Sequence, residues 1–108
     1  MTVLEYVERA GGSPFTTWFL RLDAVAAARV TTAVHRLELG NFSNVKGVGA
    51  GVFEHRIDSG PGYQIYFGKD GDALVILLGG GTKKRQNQDI AVARERWADY
   101  KKRKGQEK

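Results

Sequence analysis

Polar side chains that can bind a phosphate group recur at alternate positions of two strand-like segments. Glu54 and Arg56 alternate with apolar residues in the first segment, and Gln64 and Tyr66 do so in the second. Successive side chains of a strand point to opposite faces, so all four are expected on one face of a sheet. A cation, hydrogen-bonding groups and a phenol together can hold a phosphate backbone and stack a base. The alternative is an ordinary solvated sheet face, where polar residues alternate with core residues by default.

A run of three cations, Lys83-Lys84-Arg85, follows the last strand-like segment. Ammonium and guanidinium groups at this place could contact phosphate and stabilise negative charge that develops during a reaction. A solvated loop is the common alternative for such a charge run. Because the run emerges from the end of the neighbouring strand, we expect it to border the polar sheet face.

The two histidines are predicted to have structural positions. His35 lies on the surface of a predicted helix, and His55 falls on the apolar face of its strand, where a hydrogen-bonded structural histidine is expected. They are too far apart for metal-ligand spacing, and the chain has no cysteine. Neither a metal nor another cofactor is therefore expected. The glycine-rich segment 47–51 precedes a strand and lacks the Lys-Ser/Thr pair of a phosphate-binding loop.

Two helices are predicted near the N-terminus, after a strand at 2–8. Ser13 and Pro14 are typical of an N-cap and a first helical position. Asp23 is expected to cap the second helix, which ends before Gly40. Each helix carries one apolar stripe at helical spacing, which should be buried. The stripes are Phe15, Trp18, Phe19 and Leu22 in the first helix and Ala26, Val30, Ala33 and Leu37 in the second.

Three strands and a last helix are predicted after residue 42. The strands are 51–57, 62–68 and 73–78, separated by glycine-rich turns. The helix covers about 87–102, and the charged tail is expected to fray from about 102. Its apolar face comprises Ile90, Ala93, Trp97 and Tyr100. This order favours an α+β fold with an N-terminal strand, a helical hairpin packed on an antiparallel sheet, and a C-terminal helix.

The composition indicates one basic domain covering residues 1–108. Hydrophobic residues make up 42% of the chain, and 17 Lys plus Arg against 12 Asp plus Glu give a formal charge of +5. Such a charge favours polyanionic partners through long-range attraction. No stretch of about 20 apolar residues could span a membrane, and the N-terminus lacks the pattern of a signal peptide. We therefore expect a cytoplasmic protein that does not act at a membrane.

The chain carries a set of short motifs: Gly40-Asn41, Lys46-Gly47-Val48-Gly49, Gly51-Val52, Glu54-His55-Arg56-Ile57, Gly60-Pro61-Gly62-Tyr63, Tyr66-Phe67, Leu77-Leu78-Gly79-Gly80-Gly81 and Lys83…Gln86…Asp89-Ile90…Ala93. As a set, they resemble the RelE/ParE superfamily of toxins, in particular its HigB-like branch of addiction module killer proteins. The resemblance extends from about Phe15 to Trp97, and each motif alone is much less specific than the set.

This resemblance implies a toxin of a type II toxin–antitoxin pair, which a cognate antitoxin holds inactive. Many RelE-like members cleave messenger RNA in the ribosomal A site, whereas ParE-like members poison DNA gyrase. The superfamily fold is a helical hairpin on an antiparallel sheet with a C-terminal helix, in agreement with the order above. The implied partners are an antitoxin protein, the ribosome and messenger RNA, with no small-molecule cofactor.

The resemblance also assigns individual residues. It matches the basic strand position to Arg56, the Gly-Tyr pair to Gly62-Tyr63, and the basic residues after the central strand to Lys83 and Lys84. The next position after the Gly-Tyr pair is usually an arginine that helps to hold the scissile phosphate, but here it is Gln64. Glutamine can donate a hydrogen bond and cannot neutralise charge. Activity could therefore be weak, shifted to Arg56 and the lysines, or absent.

The hypothesis from these residues is metal-independent cleavage of RNA by attack of a 2′-hydroxyl on the adjacent phosphate. Arg56 and Lys84 would stabilise the developing negative charge. Tyr66 would transfer the proton if cationic neighbours lower its pKa from the usual value of about 10. Glu54 and His55 are weaker candidates for that proton transfer. The residues predicted to bind RNA are Lys46, Glu54, Tyr63, Gln64, Lys83, Arg85 and Gln86.

Two other functions stay open. One is ParE-like inhibition of DNA gyrase, a protein-binding activity that needs no acid–base group and that the missing arginine at Gln64 mildly favours. The other is a non-catalytic RNA- or protein-binding relic of the fold. One fold hosts several functions, so likeness of fold does not decide among them.

Overall fold

The computed structural model describes residues 1–106, which form five strands and three α-helices. In chain order the elements are β1 (Thr2–Glu5), α1 (Pro14–Phe19), α2 (Ala24–Glu38), β2 (Val45–Gly49), β3 (Val52–Ile57), β4 (Tyr63–Asp70), β5 (Leu74–Thr82), a 3-10 turn (Lys83–Arg85) and α3 (Gln86–Gln106). The predicted α+β class is confirmed. None of the helices in this part of the chain is both long and apolar enough to cross a membrane.

The strands form one mixed sheet in the order β1-β5-β4-β3-β2. The strands β2 to β5 pair antiparallel, whereas β1 runs parallel to β5, with Thr2 opposite Leu74 and Glu5 opposite Leu77. The prediction of a wholly antiparallel sheet is therefore wrong at this edge. Side chains alternate in the same way in parallel and antiparallel strands, so the residue pattern does not distinguish them. The long connection from β1 to β5 permits the parallel pairing.

The other edge of the sheet is β2, a strand that the residue pattern does not predict. It pairs antiparallel with β3 and places Lys46 opposite Glu54. Its two valines stand among glycines and lysine, so it has no clear apolar alternation. The turn to β3 contains three consecutive residues with positive φ, Gly49 at 95°, Ala50 at 56° and Gly51 at 82°. Glycine adopts this conformation at low cost, which explains two of the three residues.

Both N-terminal helices begin at the predicted caps. Ser13 Oγ accepts a hydrogen bond from the backbone N–H of Thr16 at 3.1 Å. Asp23 Oδ1 accepts one from the backbone N–H of Ala26 at 2.8 Å. The apolar stripe predicted for α2 is confirmed, since all four of its residues are buried. Its residues Val30, Ala33 and Leu37 pack together with Phe15 on one face of the sheet, against Ile65, Phe67, Val75 and Leu77.

The second face of the sheet is covered by α3, so the expectation that this face is open is wrong. Ala93 and Trp97 of α3 are buried in a second core with residues of β3, β4 and β5. Gly68 of β4 makes this approach possible, because a Cβ atom there would lie 2.3 Å from the Trp97 ring. The polar residues on this face therefore meet a helix instead of solvent along most of the sheet.

Several element ends also differ from the predicted ones: β1 ends at Glu5 and not at residue 8, and β4 continues to Asp70. The strand β5 continues to Thr82, where Gly79, Gly80 and Gly81 pair with β4, although the prediction ends it at 78. The helix α3 continues to Gln106, so the tail from 102 to 106 is helical. The last two residues of the predicted frayed tail, Glu107 and Lys108, lie outside the described residues.

We predict that Gly68→Ala destabilises the protein by about 1–3 kcal/mol, because the added methyl group must displace Trp97 from its packed position. The matched control is Gly47→Ala in β2, where a Cβ atom would meet no heavy atom within 4 Å. Urea unfolding followed by tryptophan fluorescence measures both changes. Equal free energies of unfolding for the two variants would contradict the close packing of α3 on β4.

Candidate functional site

Six of the ten predicted site residues line one cleft at the end of the sheet. We call this the basic cleft; its volume is about 460 Å³. It is bounded by β2, β3, β4, the 3-10 turn and the start of α3, and by the turn at 58–62. The six residues are Lys46, Glu54, Arg56, Gln64, Lys83 and Gln86.

Strand register brings the strand-borne members of the basic cleft together. Lys46 lies opposite Glu54 across β2 and β3, and Arg56 lies opposite Gln64 across β3 and β4. Directly opposed residues of neighbouring antiparallel strands have Cβ atoms about 4.5–5.5 Å apart. The cleft is therefore a product of the register, which places two cations, a carboxylate and an amide within two residue pairs.

Glu54 is the buried acid of the basic cleft, with 1% of its surface exposed. Its two carboxylate oxygens accept hydrogen bonds from Gln86 Nε2 at 3.1 Å and 3.0 Å. Gln86 is the first residue of α3, so this contact joins the beginning of the helix to the middle of β3. The amide donates hydrogen bonds and carries no charge, so this contact is not an ion pair.

Three cations at the rim of the cleft are exposed to solvent: Lys46, Arg56 and Lys83. The Arg56 side chain is 64% exposed, and its Nε lies 3.5 Å from Asp58 Oδ1. An exposed pair of this kind contributes little stability, so Arg56 can exchange Asp58 for another anion at low cost. The turn residue Asp58 was not among the predicted site residues, although an acid two positions after a strand-borne arginine was a usable signal.

Gln64 is buried in the wall of the cleft, with 2% of its surface exposed. Its Oε1 has no hydrogen-bond partner within residues 1–106. An unsatisfied buried acceptor costs about 1–3 kcal/mol. A ligand that donates a hydrogen bond to this oxygen would recover that cost. Gln64 can therefore orient a hydroxyl or amino group in the cleft, although it cannot neutralise a phosphate.

Tyr66 does not line the basic cleft. It lies in a second cleft of about 430 Å³ between α1 and α3, which Arg85, Asp89 and Arg96 also line. Burial raises the pKa of Tyr66 well above its usual value, and the carboxylates of Glu54 and Asp89 raise it further. Tyr66 could act as a base only if cationic neighbours lowered its pKa. Its pKa is raised instead, so this condition is not met. Neither Asp89 nor Arg96 was among the predicted site residues, because Asp89 entered only as part of a helical motif and Arg96 follows it by two turns with no motif of its own.

The other predicted residues also lie outside the basic cleft. Tyr63 points to the α1 side, where its ring centroid lies 6.5 Å from that of Trp18. Arg85 donates a hydrogen bond from Nε to Gln88 Oε1 at 3.1 Å. Lys84 is exposed and lines neither of the two clefts. The charge run thus divides, with Lys83 facing the basic cleft and Arg85 facing the second cleft.

His55 is buried on the α2 side of β3, as its position in the strand predicts, with 2% of its surface exposed. The expected hydrogen bond is missing at Nδ1, which has no partner within the described part of the chain. Burial lowers the pKa of His55, and the charge of Arg36 lowers it further. The imidazole is therefore neutral near pH 7. No group of three or more His, Asp or Glu residues in 1–106 is placed to hold a metal ion.

Comparison with known proteins gives a relative without a stated activity. No family model matches the chain. A Haemophilus influenzae protein, called only an uncharacterized protein, is 42% identical over 81 residues, which cover 74% of this chain and 82% of the relative. The chain belongs to the family of that protein.

We predict that Gln86→Ala destabilises the protein by about 1–3 kcal/mol, since it leaves the buried Glu54 carboxylate without its hydrogen-bond donor. The control is Gln88→Ala, which removes an exposed glutamine of the same helix whose side chain accepts a hydrogen bond from Arg85. Urea unfolding at pH 7 measures the difference. The contact would be unimportant if both variants unfolded at the same denaturant concentration.

We also predict a pH dependence of stability that depends on His55. Its pKa is lower in the folded state than in the unfolded chain, where it is about 6.5. The unfolded chain therefore binds a proton first, and the free energy of unfolding falls as the pH drops through about 6.5. His55→Gln should flatten this dependence, whereas His35→Gln, at an exposed histidine, should keep it. Parallel curves for wild type and His55→Gln would contradict this.

Proposed function

We propose that this protein is a RelE/ParE-type toxin of a type II toxin–antitoxin system that cleaves messenger RNA on the ribosome. The observation that carries the proposal is the basic cleft, where three exposed cations surround one buried, hydrogen-bonded carboxylate. Cleavage of an RNA phosphodiester needs positive charge around the phosphate oxygens and a nearby group that takes the proton of the 2′-hydroxyl. The cleft brings both together within a few residues of β2, β3 and α3.

The cations fit the charge that develops during cleavage. When the 2′-oxygen attacks the adjacent phosphorus, an extra negative charge spreads over the non-bridging oxygens. Arg56 is assigned to those oxygens because its guanidinium can bind two of them at once. Lys83 lies across the cleft, and Lys46 holds the neighbouring part of the RNA backbone. Cations at this place stabilise the transition state more than the substrate, because the extra negative charge develops only as the reaction proceeds.

Glu54 is assigned as the group that takes the proton. The 2′-hydroxyl gives its proton to the Glu54 carboxylate as the O2′–P bond forms, and the P–O5′ bond breaks as Lys83 gives a proton to the 5′-oxygen. The products are a 2′,3′-cyclic phosphate and a 5′-hydroxyl end. Every atom of this reaction is supplied by the RNA and the two side chains. Glu54 replaces Tyr66 in this role, because the phenol lies in the other cleft with a raised pKa.

The overall positive charge supports RNA and the ribosome as partners. A formal charge of +5 attracts the protein to RNA and to the ribosome over distances of about a Debye length. A cognate antitoxin would inhibit most directly if it covered the basic cleft with acidic side chains. This activity belongs in the cytoplasm, where messenger RNA is translated.

One observation favours a second function. Gln64 leaves the cleft without the arginine that the resemblance implies on β4, so inhibition of DNA gyrase without RNA chemistry is the alternative. A non-catalytic RNA-binding module fits the same observation. The first experiment must therefore separate RNA cleavage from arrest without cleavage.

Cell-free translation with the purified protein provides that separation, with 5′ ends of the message mapped in the presence and absence of active ribosomes. We expect cuts only on translated message. Arg56→Ala and Lys83→Ala should each lower the cleavage rate about 10²–10³-fold, and Glu54→Gln about 10²–10⁴-fold. Lys84→Ala should have a smaller effect than Lys83→Ala, because only Lys83 faces the cleft.

The control is Lys102→Ala, which removes an exposed cation on α3 away from both clefts and should leave the rate unchanged. Intact message together with normal protein synthesis would reject the proposal. Gyrase-dependent DNA breaks in cells that express the protein would then support the alternative. Cleavage that survives Arg56→Ala, Lys83→Ala and Glu54→Gln would reject the residue assignment.

A further inference from the structure

A second basic pocket lies on the α2 side of β3, and apart from Arg56 its residues have no part in the cleavage chemistry above. We call it the α2 pocket; its volume is about 280 Å³. The helix α2, the segment before β2 and the end of β3 surround it. The residues that matter for its chemistry are Arg29, Thr32, Arg36, Asn44, His55 and Arg56.

The α2 pocket carries an excess of positive charge. Arg29 and Arg36 are seven residues apart on α2, so they lie on one face of the helix, two turns apart. Neither arginine forms an ion pair within residues 1–106. Asp58 is the acidic residue of the pocket lining, and it already lies 3.5 Å from Arg56. Three guanidinium groups against one carboxylate favour an anionic ligand.

The floor of the α2 pocket contains an unsatisfied polar group. His55 lines the pocket and is 2% exposed, and its Nδ1 has no hydrogen-bond partner among the described residues. A neutral imidazole carries one N–H, which can donate to an oxygen of a bound anion. Buried polar groups are almost always hydrogen-bonded in native proteins. The orphaned nitrogen and the free arginines thus point to the same kind of ligand.

The position of the pocket indicates which anion binds. Arg56 and Asp58 line both the α2 pocket and the basic cleft, so the two sites share a wall at the end of β3. A single chain with regularly repeated negative charges can occupy both sites, and RNA is such a chain. We propose that the α2 pocket is a second phosphate subsite, which binds a backbone phosphate of the RNA strand next to the scissile one. The subsite rests on the proposed function, because the RNA strand bound in the basic cleft determines where its neighbouring phosphate lies.

The test uses binding and not cleavage, so that it can fail separately from the proposed function. The probe is a single-stranded hexanucleotide with 2′-O-methyl groups, which cannot attack its own phosphates. The chain has two histidines, so NMR signals of the imidazoles report on His55 in the pocket and on exposed His35 as an internal control. Hexaglutamate and inorganic phosphate are titrated in parallel.

We expect the hexanucleotide to shift the His55 signals and to leave those of His35 in place. Arg29→Ala and Arg36→Ala should each weaken binding at least about threefold and lower the salt slope by about 0.7 for the lost phosphate contact. Lys102→Ala should change neither quantity. Circular dichroism of the arginine variants checks that these exposed substitutions leave the fold intact.

Three results would overturn the subsite. One is hexanucleotide binding without a change at His55, and another is a His55 response to inorganic phosphate with no response to the hexanucleotide. The third is a response to hexaglutamate as strong as that to the hexanucleotide, which would indicate an acidic protein partner.

If Arg56→Ala abolishes cleavage while Arg29→Ala and Arg36→Ala bind normally, the proposed function stands and the subsite fails. If the hexanucleotide occupies the pocket and no message is cut, the subsite stands as RNA binding and the proposed cleavage fails.

Discussion

The buried carboxylate of Glu54 is the interaction on which the arrangement of the basic cleft depends. A carboxylate removed from water is costly unless hydrogen bonds compensate for the lost hydration. Here Gln86 Nε2 donates to both oxygens, which requires the first residue of α3 to lie over the middle of β3. Lys83 precedes Gln86 by three residues, so the same contact brings this lysine to the rim of the cleft. One buried acid therefore positions a cation that is 29 positions away in the chain.

The packing of α3 explains why the site is a cleft at one end of the sheet and not a broad open face. Trp97 lies against Gly68 and Gly51, where Cβ atoms would come within 2.3 Å and 2.8 Å of its ring. The missing side chains allow the helix to rest directly on the sheet and to cover its second face. Besides the cleft between α1 and α3, the end of the sheet where Lys46, Arg56 and Lys83 converge stays accessible. Covering most of the face leaves these exposed cations together at one end of the sheet.

The elements with strong periodicity and clear caps could be predicted from the residues, whereas long-range pairings could not. The caps Ser13 and Asp23 and the buried stripe of α2 follow from local rules, so both helices were found. The strand β2 was missed because its glycines leave no alternation, and with it the pairing of Lys46 with Glu54. The alternation in β3 and β4 correctly places Glu54 and Gln64 on one face. It cannot reveal that α3 covers them, because Gln86 lies 32 residues beyond Glu54.

The glutamine at 64 changes the way in which the cleft can bind an anion. An arginine in this buried position, directly opposite Arg56, would place two guanidinium groups side by side beneath the start of α3. Glutamine removes that repulsion and leaves an uncharged amide with an unsatisfied oxygen. The positive charge of the cleft is then carried by exposed side chains, which water and salt screen more strongly than buried ones. Affinity should therefore depend on several weak contacts along an extended polyanion, which is the arrangement that a chain crossing from the basic cleft to the α2 pocket would provide.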